Sequence, residues 1–227
     1  EPIKDTGLRR TYPNFLSREG ARGMEYDAWS GDGGNPPDHV PTLVYTRLLA
    51  GPMDYTPGIF ALRYPEYRSG NQVNTTLAKQ LAYYVVIYSP LQMAADLPEN
   101  YVDQPAFQFI RDVPCDWETT VSLDGEIGEF AVIARQDRLS RDWYLSAITG
   151  FDARNLSIPL TFLEPQEVNA DIALLKWGQP LWRERLLKDR GVDYAKTPAE
   201  DFATGMITYR NPETGQRVKA QFTNSWM

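Results

Sequence analysis

The spacing of apolar residues changes once along this chain, near Trp117, and that change limits the folds open to it. Upstream, apolar side chains recur at three- and four-residue intervals between glycine and proline breaks. Val40, Leu43, Val44, Arg47 and Leu48 follow Pro37-Asp38, which predicts a helix with Asp38 as its N-cap and Gly51 as its stop. Asn74 or Thr75 is expected to cap a longer helix through Leu77, Leu81, Tyr84, Val85 and Tyr88. Pro90 should kink that helix or divide it before residues 91–95. Asp103-Gln104-Pro105 opens a third helix carrying Phe107 and Ile110, while 11–18 and 52–62 read as extended. Alternating strand and helix is the rhythm of a (β/α) barrel. A whole barrel takes roughly 250 residues, so residues 1–116 read as the C-terminal portion of a catalytic (β/α)8 barrel, its last two or three units.

Downstream the pattern becomes β-rich. Short strands are expected at 119–123, 130–135, 143–148, 156–162 and 172–176, with turns at Asp124-Gly125 and Gly150-Phe151-Asp152. Residues 179–190 read as a charged helix or loop, and 206–209 with 218–222 as a closing hairpin around Asn211–Gly215. Residues 117–227 are thus expected to form a small antiparallel β-sandwich, with Trp117, Trp143 and Trp177 in its core. The fold class is α/β plus all-β.

Several functions are excluded early. The net charge is −7 and no lysine- or arginine-rich block exists, so the chain lacks a phosphate-tracking surface for nucleic acid. No apolar run is long enough to span a bilayer. Cys115 is the single cysteine, which rules out an intrachain disulfide and reads as a packing residue. His39 is the single histidine, which rules out a multi-histidine metal site. The sequence has neither an initiator Met nor a leader, and is expected to continue a longer polypeptide.

Carboxylates remain. Glu19 and Glu25 stand six residues apart on a glycine-punctuated segment, with Tyr12 and Tyr26 on either side and Glu1 upstream. Glycosidic cleavage needs one carboxyl to protonate the leaving oxygen and another to direct water or hold a metal. Barrel chemistry sits at the C-terminal ends of strands, where this segment is expected to lie. A solvated glutamate is the ordinary alternative for each. His39 reads either as a buttress for a helix start or as a substrate contact, and Asp54 either as a partner for sugar hydroxyls or as a turn cap. Trp29 reads as a stacking platform or as a buried ring. Arg9 and Arg10 pair with the carboxylates or face solvent.

Four ordered blocks carry a resemblance. Residues 1–14, Arg18-Glu-Gly-Ala-Arg-Gly-Met-Glu-Tyr26, Asn35-Pro-Pro-Asp-His39 and Gly51-Pro-Met-Asp-Tyr-Thr-Pro-Gly58 resemble family 97 of the glycoside hydrolases, which are bacterial α-glucosidases and α-galactosidases. The similarity runs from residue 1 to about Leu160 and then fades. It implies that Glu25 is the general acid and that Glu19 is a calcium ligand. It implies for Glu1 a double role, binding Ca2+ and helping to activate the attacking water, as in the inverting α-glucosidases. Three convergent carboxylates call for a cation, and calcium takes oxygen ligands; the implied set is Glu1, Glu19 and Glu25. The family's retaining α-galactosidases lack a glutamate at the position of Glu1, so its presence favours the inverting branch. The implied substrate is an α-linked oligosaccharide and the implied location periplasmic or secreted. A further catalytic glutamate and calcium ligand are expected from the remainder of the same enzyme, upstream of residue 1, so the isolated chain is expected to be inactive. The alternatives are a retaining α-galactosidase, or a non-catalytic carbohydrate-binding or scaffold module.

Overall fold

A computed structural model describes residues 7–63, 71–163, 206–210 and 217–220. Glu1 lies outside the described residues, as do the strand expected at 172–176, the segment 179–190 and Trp177. The chain divides into two compact units, Glu1–Phe151 and Asp152–Met227. No helix among the described residues is long and apolar enough to cross a membrane.

The first unit is built around a helix at Leu77–Val86. In chain order the helices are α1 (Leu8–Thr11), α2 (Tyr26–Trp29), α3 (His39–Val44), α4 (Leu77–Val86) and α5 (Phe107–Asp112), with 3-10 turns at Arg47–Ala50 and Pro98–Tyr101. The cap of α4 is Thr76, one residue beyond the expected pair, because Thr76 holds the extended backbone a cap needs and its hydroxyl accepts the Lys79 N–H at 3.2 Å. Every residue from Gln80 to Val86 is buried. Pro90 does not kink this helix, which has already ended at Val86; residues 91–95 are not helical. Arg135 takes over its last carbonyls, donating to Val85 O at 2.5 Å and Val86 O at 3.4 Å. A cation there also complements the negative end of the helix.

Strands β1 (Trp117–Glu126), β2 (Phe130–Asp137) and β3 (Trp143–Thr149) form an antiparallel sheet in the order β1-β2-β3. Asp124-Gly125 is not the turn; it lies inside β1 at a register shift, and the chain reverses one step later around Gly128, at φ 80°. Gly125 is needed there for another reason: the Tyr45 ring lies against its Cα, with the phenol donating to Asp124 O at 2.9 Å. The sheet packs on α4. Ala131, Ile133 and Ile148 share one core with Val40, Leu43, Met53, Tyr83 and Val86, and Ser146 donates to Ala82 O. Lys79 ties α4 to the Pro37 and Thr149 carbonyls at 2.6 Å each, and burial pushes its ammonium down to about 8. Packing is therefore continuous across residue 116. Trp117 is buried, edge-on to Tyr144.

In the second unit β4 (Ser157–Ile158) pairs in parallel with β5 (Met206–Arg210), which forms the expected hairpin with β6 (Arg217–Ala220).

Two other expectations change. Residues 11–18 do not form a strand, because α1 and a turn through Pro13-Asn14 occupy them; only Arg18 makes a bridge, parallel, to Met53. The helix after Asp38 breaks into α3 and a 3-10 turn, where Thr46 turns its hydroxyl back onto Thr42 O at 2.6 Å.

That break places Arg47. Its buried guanidinium donates to Glu19 O (2.9 Å), Arg18 O (2.6 Å), Gly51 O (3.0 Å) and Pro52 O (3.2 Å). One planar fork of five N–H groups thus fastens two distant loops together. A second brace lies behind the first loop. Asp27, 2% exposed, accepts from Asn35 N at 2.5 Å and from Asn35 Nδ2 at 3.3 Å, and the same Nδ2 donates to Gly23 O at 2.8 Å. Gly34, at φ 84°, packs directly on the Asp27 carboxyl.

Arg47→Met removes the guanidinium from four carbonyls, of which Arg18 O keeps Asp54 N and Pro52 O keeps Arg18 N, and is expected to cost about 2 kcal/mol or more in urea unfolding. Arg47→Lys is expected to recover only part, since a point charge cannot span the fork. A loss below about 0.5 kcal/mol, the range of ordinary surface changes, contradicts the clamp. Asp27 generates a pH prediction. Burial pushes its carboxyl up to about 6 against the Asn35 hydrogen bonds that pull it down. The folded state therefore holds this proton more tightly than the unfolded chain. Stability from this group is full below about 4, falls as pH rises to about 6 and is flat above, by at most about 3 kcal/mol. Asp27→Asn is expected to remove that decline between pH 4 and 6; an unchanged slope contradicts it.

Candidate active site

The carboxylate loop is positioned by backbone stitches before any side chain acts. Arg18 N donates to Pro52 O at 3.4 Å and Asp54 N to Arg18 O at 3.0 Å, so Glu19 enters beside the Met53-Asp54 segment. Met24 N then donates to Tyr55 O at 2.9 Å, which puts Glu25 alongside Thr56. Met53 N continues the series, donating to Tyr88 O at 3.0 Å. Arg47 locks the first of these contacts from behind.

Within the loop, Gly23 N donates to Glu19 Oε1 at 2.7 Å. A Cβ at Gly23 would meet that same oxygen and displace the Glu19 carboxylate from its own backbone. Glu25 is the exposed N-cap residue of α2, and its Oε2 accepts from the Thr56 hydroxyl at 2.7 Å. Together Phe15, Ser17, Arg18, Glu19, Glu25, Asp54 and Thr56 line a cavity of about 320 Å³. That is small-molecule size, and all of its lining except Phe15 is polar, as recognition of a hydroxylated ligand demands.

Of the residues expected from sequence, the structure brings Glu19, Glu25 and Asp54 to this cavity. His39 and Trp29 are not among its lining, and Glu1 lies outside the described residues. His39 Nε2 is 2.8 Å from Arg22 O, supporting the loop from below between Glu19 and Glu25, and burial holds its imidazole below the usual range. Trp29, 59% exposed, meets Tyr26 edge-on with ring centroids 4.8 Å apart. Arg22 lies over the other ring contact of that cluster, 4.6 Å from the Tyr26 centroid, and Tyr26 donates to Asp32 at 2.7 Å. That phenol hydrogen bond holds the Asp32 carboxyl below the usual carboxylate range.

The donor set suits a hard cation in kind, since carboxylate oxygens are what calcium takes. Among the described residues, however, no group of three or more His, Cys, Asp or Glu side chains is arranged to hold a metal. Glu19 and Glu25 can thus supply only part of a coordination sphere. Sequence reasoning missed Thr56, Arg18 and Ser17 as lining residues; the Tyr55-Thr56-Pro57 block was the signal available for Thr56.

The family model described as "Glycosyl-hydrolase 97 C-terminal, oligomerisation" matches residues 116–174. A retaining alpha-galactosidase of Bacteroides thetaiotaomicron is 37% identical over 177 residues, covering 74% of this chain and 26% of its own. A probable retaining alpha-galactosidase of Streptomyces bingchenggensis is 32% identical over 155 residues, covering 68% and 22%. Among solved structures, a glycoside hydrolase family 97 enzyme from Pseudoalteromonas sp. strain K8 in complex with panose is similar at 58% identity and a TM-score of 0.62, over 68% of this chain and 24% of that one. The complex with acarbose gives 59% identity and the same TM-score and coverage. The chain spans about a quarter of the length of these relatives. The glutamate-bearing loop and the β1–β3 sheet both fall within a chain that belongs to glycoside hydrolase family 97.

Proposed function

We propose that this chain is the C-terminal part of a glycosidase that hydrolyses α-glucosidic bonds with inversion, with Glu25 as general acid. The carrying observation is the polar cavity in which Glu25 and Glu19 meet Asp54. The parallel Arg18–Met53 bridge and the Met53 N–Tyr88 O bond support reading residues 1–116 as the end of a barrel. Panose and acarbose, found with the Pseudoalteromonas enzyme, are α-glucosidic oligosaccharides, and that enzyme stands at 58–59% identity against 37% for the Bacteroides galactosidase. The balance supports glucose over galactose. The galactosidase names of two relatives keep the retaining α-galactosidase as the second reading.

In the proposed reaction the Glu25 proton passes to the glycosidic oxygen, and the C–O bonding pair leaves with that oxygen. Water attacks the anomeric carbon from the opposite face and gives up a proton to a carboxylate base, the role we assign to Glu1. Glu19, fixed by Gly23 N, is the described residue that would hold calcium with Glu1, while Glu25, the implied third ligand, is kept for the proton; the ion would supply positive charge among the carboxylates. Asp54 is positioned to meet sugar hydroxyls from the cavity wall. Trp29 offers an exposed aromatic face four residues beyond Glu25 for a sugar ring outside the cavity. His39 acts through the Arg22 carbonyl as a loop support. We assign the enzyme to the periplasm or the exterior.

In the enzyme of full family length, Glu25→Gln is expected to lower kcat on maltose at least about 10²-fold. It should leave hydrolysis of α-glucosyl fluoride, whose leaving group needs no proton, within a few-fold. Equal losses on both substrates contradict the acid assignment. The first-formed sugar, followed by NMR, is expected to be β-glucose from an α-glucoside; α-product would move the enzyme to the retaining branch.

A further inference from the structure

Thr56 is held in a conformation that its side chain opposes. Its φ is 56°, in the left-handed region, and among the described residues Asp103 is the other non-glycine there. For a β-branched residue that backbone is sterically unfavourable. The surroundings over-determine it. On one side Tyr55 O accepts Met24 N; on the other, Gln80 Oε1 accepts Gly58 N at 2.9 Å and Ile59 N at 3.1 Å, and Ala95 N donates to Pro57 O at 3.1 Å.

The strain delivers one atom. Thr56 Oγ1 lies 2.7 Å from Glu25 Oε2 and 2.6 Å from Tyr55 O, but a hydroxyl has a single hydrogen to donate. Tyr55 O already receives the Met24 N–H. Of the two acceptors the carboxylate is the stronger, so the Thr56 hydrogen goes to Glu25.

We propose that Thr56 is a positioning residue for the Glu25 carboxyl, donating to Oε2 so that Oε1 is the oxygen that carries the proton to the leaving group. The inference rests on the reading of Glu25 as general acid. The proton from Oε1 goes to the glycosidic oxygen, the C–O electron pair goes with that oxygen, and the Thr56 hydrogen stays where it is. A hydrogen bond to a carboxylate is roughly twice as strong as one to a neutral acceptor. Thr56 thus gains strength as Glu25 gives up its proton, which favours the transition state over the ground state.

The test uses Thr56→Val, Thr56→Ser and Thr56→Gly in the enzyme of full family length. Thr56→Val is expected to lower kcat on maltose about 10-fold with KM little changed, and to leave α-glucosyl fluoride hydrolysis unaltered. Thr56→Ser is expected to restore the maltose rate. Thr56→Gly, which releases the backbone, is expected to unfold at an equal or higher temperature while still losing maltose activity. Equal losses on maltose and fluoride, or a loss that falls on KM instead of kcat, overturn the proposal in favour of a purely structural role. Full activity of Thr56→Val overturns it outright while Glu25→Gln remains impaired. If Glu25→Gln itself discriminates nothing between the two substrates, the failure lies in the acid assignment beneath.

Discussion

The guanidinium of Arg47 is the contact on which the rest of the site depends. It gathers the carbonyls of residues 18 and 19 and those of residues 51 and 52 around one buried cation. Neither loop has a regular ladder of its own; Arg18 makes a single bridge to Met53. A flexible loop held only by that bridge would lose its register at small free-energy cost. The fork removes the alternative, because its donors match carbonyls at fixed angles. Glu19 and Asp54 reach the same cavity as a consequence.

The site is stiffened in tiers behind that clamp. Asp27 and Asn35 hold the back of the loop, the His39 ring supports the Arg22 carbonyl, and Gly23 lets the Glu19 carboxylate fold onto its own backbone. Below them the Met24–Met53–Val86 core extends into the sheet through Ala131 and Ile133. This continuity explains why the β1–β3 sheet and the carboxylate-bearing loop pack as one unit: α4 faces both. Arg135 closes the end of α4 and Lys79 ties its start to β3, so one buried and one half-buried cation satisfy carbonyls that the helix and loops leave open.

Much of this was legible from residue spacing. Apolar periodicity marked α3, α4, α5 and β1–β3, and Asn211–Gly215 marked the last hairpin, because these depend on local pattern. The errors share a cause in tertiary context. Asp124-Gly125 carries turn chemistry, yet the Tyr45 ring draws it into a strand. Pro90 was expected to break a helix that Arg135 had already ended. Arg47 was counted within the periodic spacing of a helix, since nothing in its neighbours reveals a carbonyl 28 residues upstream. Thr56 was hidden for a similar reason: its left-handed backbone is imposed by Gln80 and Met24, not by its own sequence. Glu19, Glu25 and Asp54 were accessible because carboxylates on glycine-rich turns stand out even without coordinates.

In the proposed function, one face of this chain presents the Glu25 carboxyl to a sugar oxygen. A crystal structure of the complete enzyme with an uncleaved thio-linked maltoside tests it directly. The inter-sugar sulfur is expected within hydrogen-bonding reach of Glu25 Oε1, with Thr56 on the opposite oxygen and Asp54 against the ring hydroxyls. A maltoside seated elsewhere, with the Glu25 side chain turned to solvent, contradicts the account.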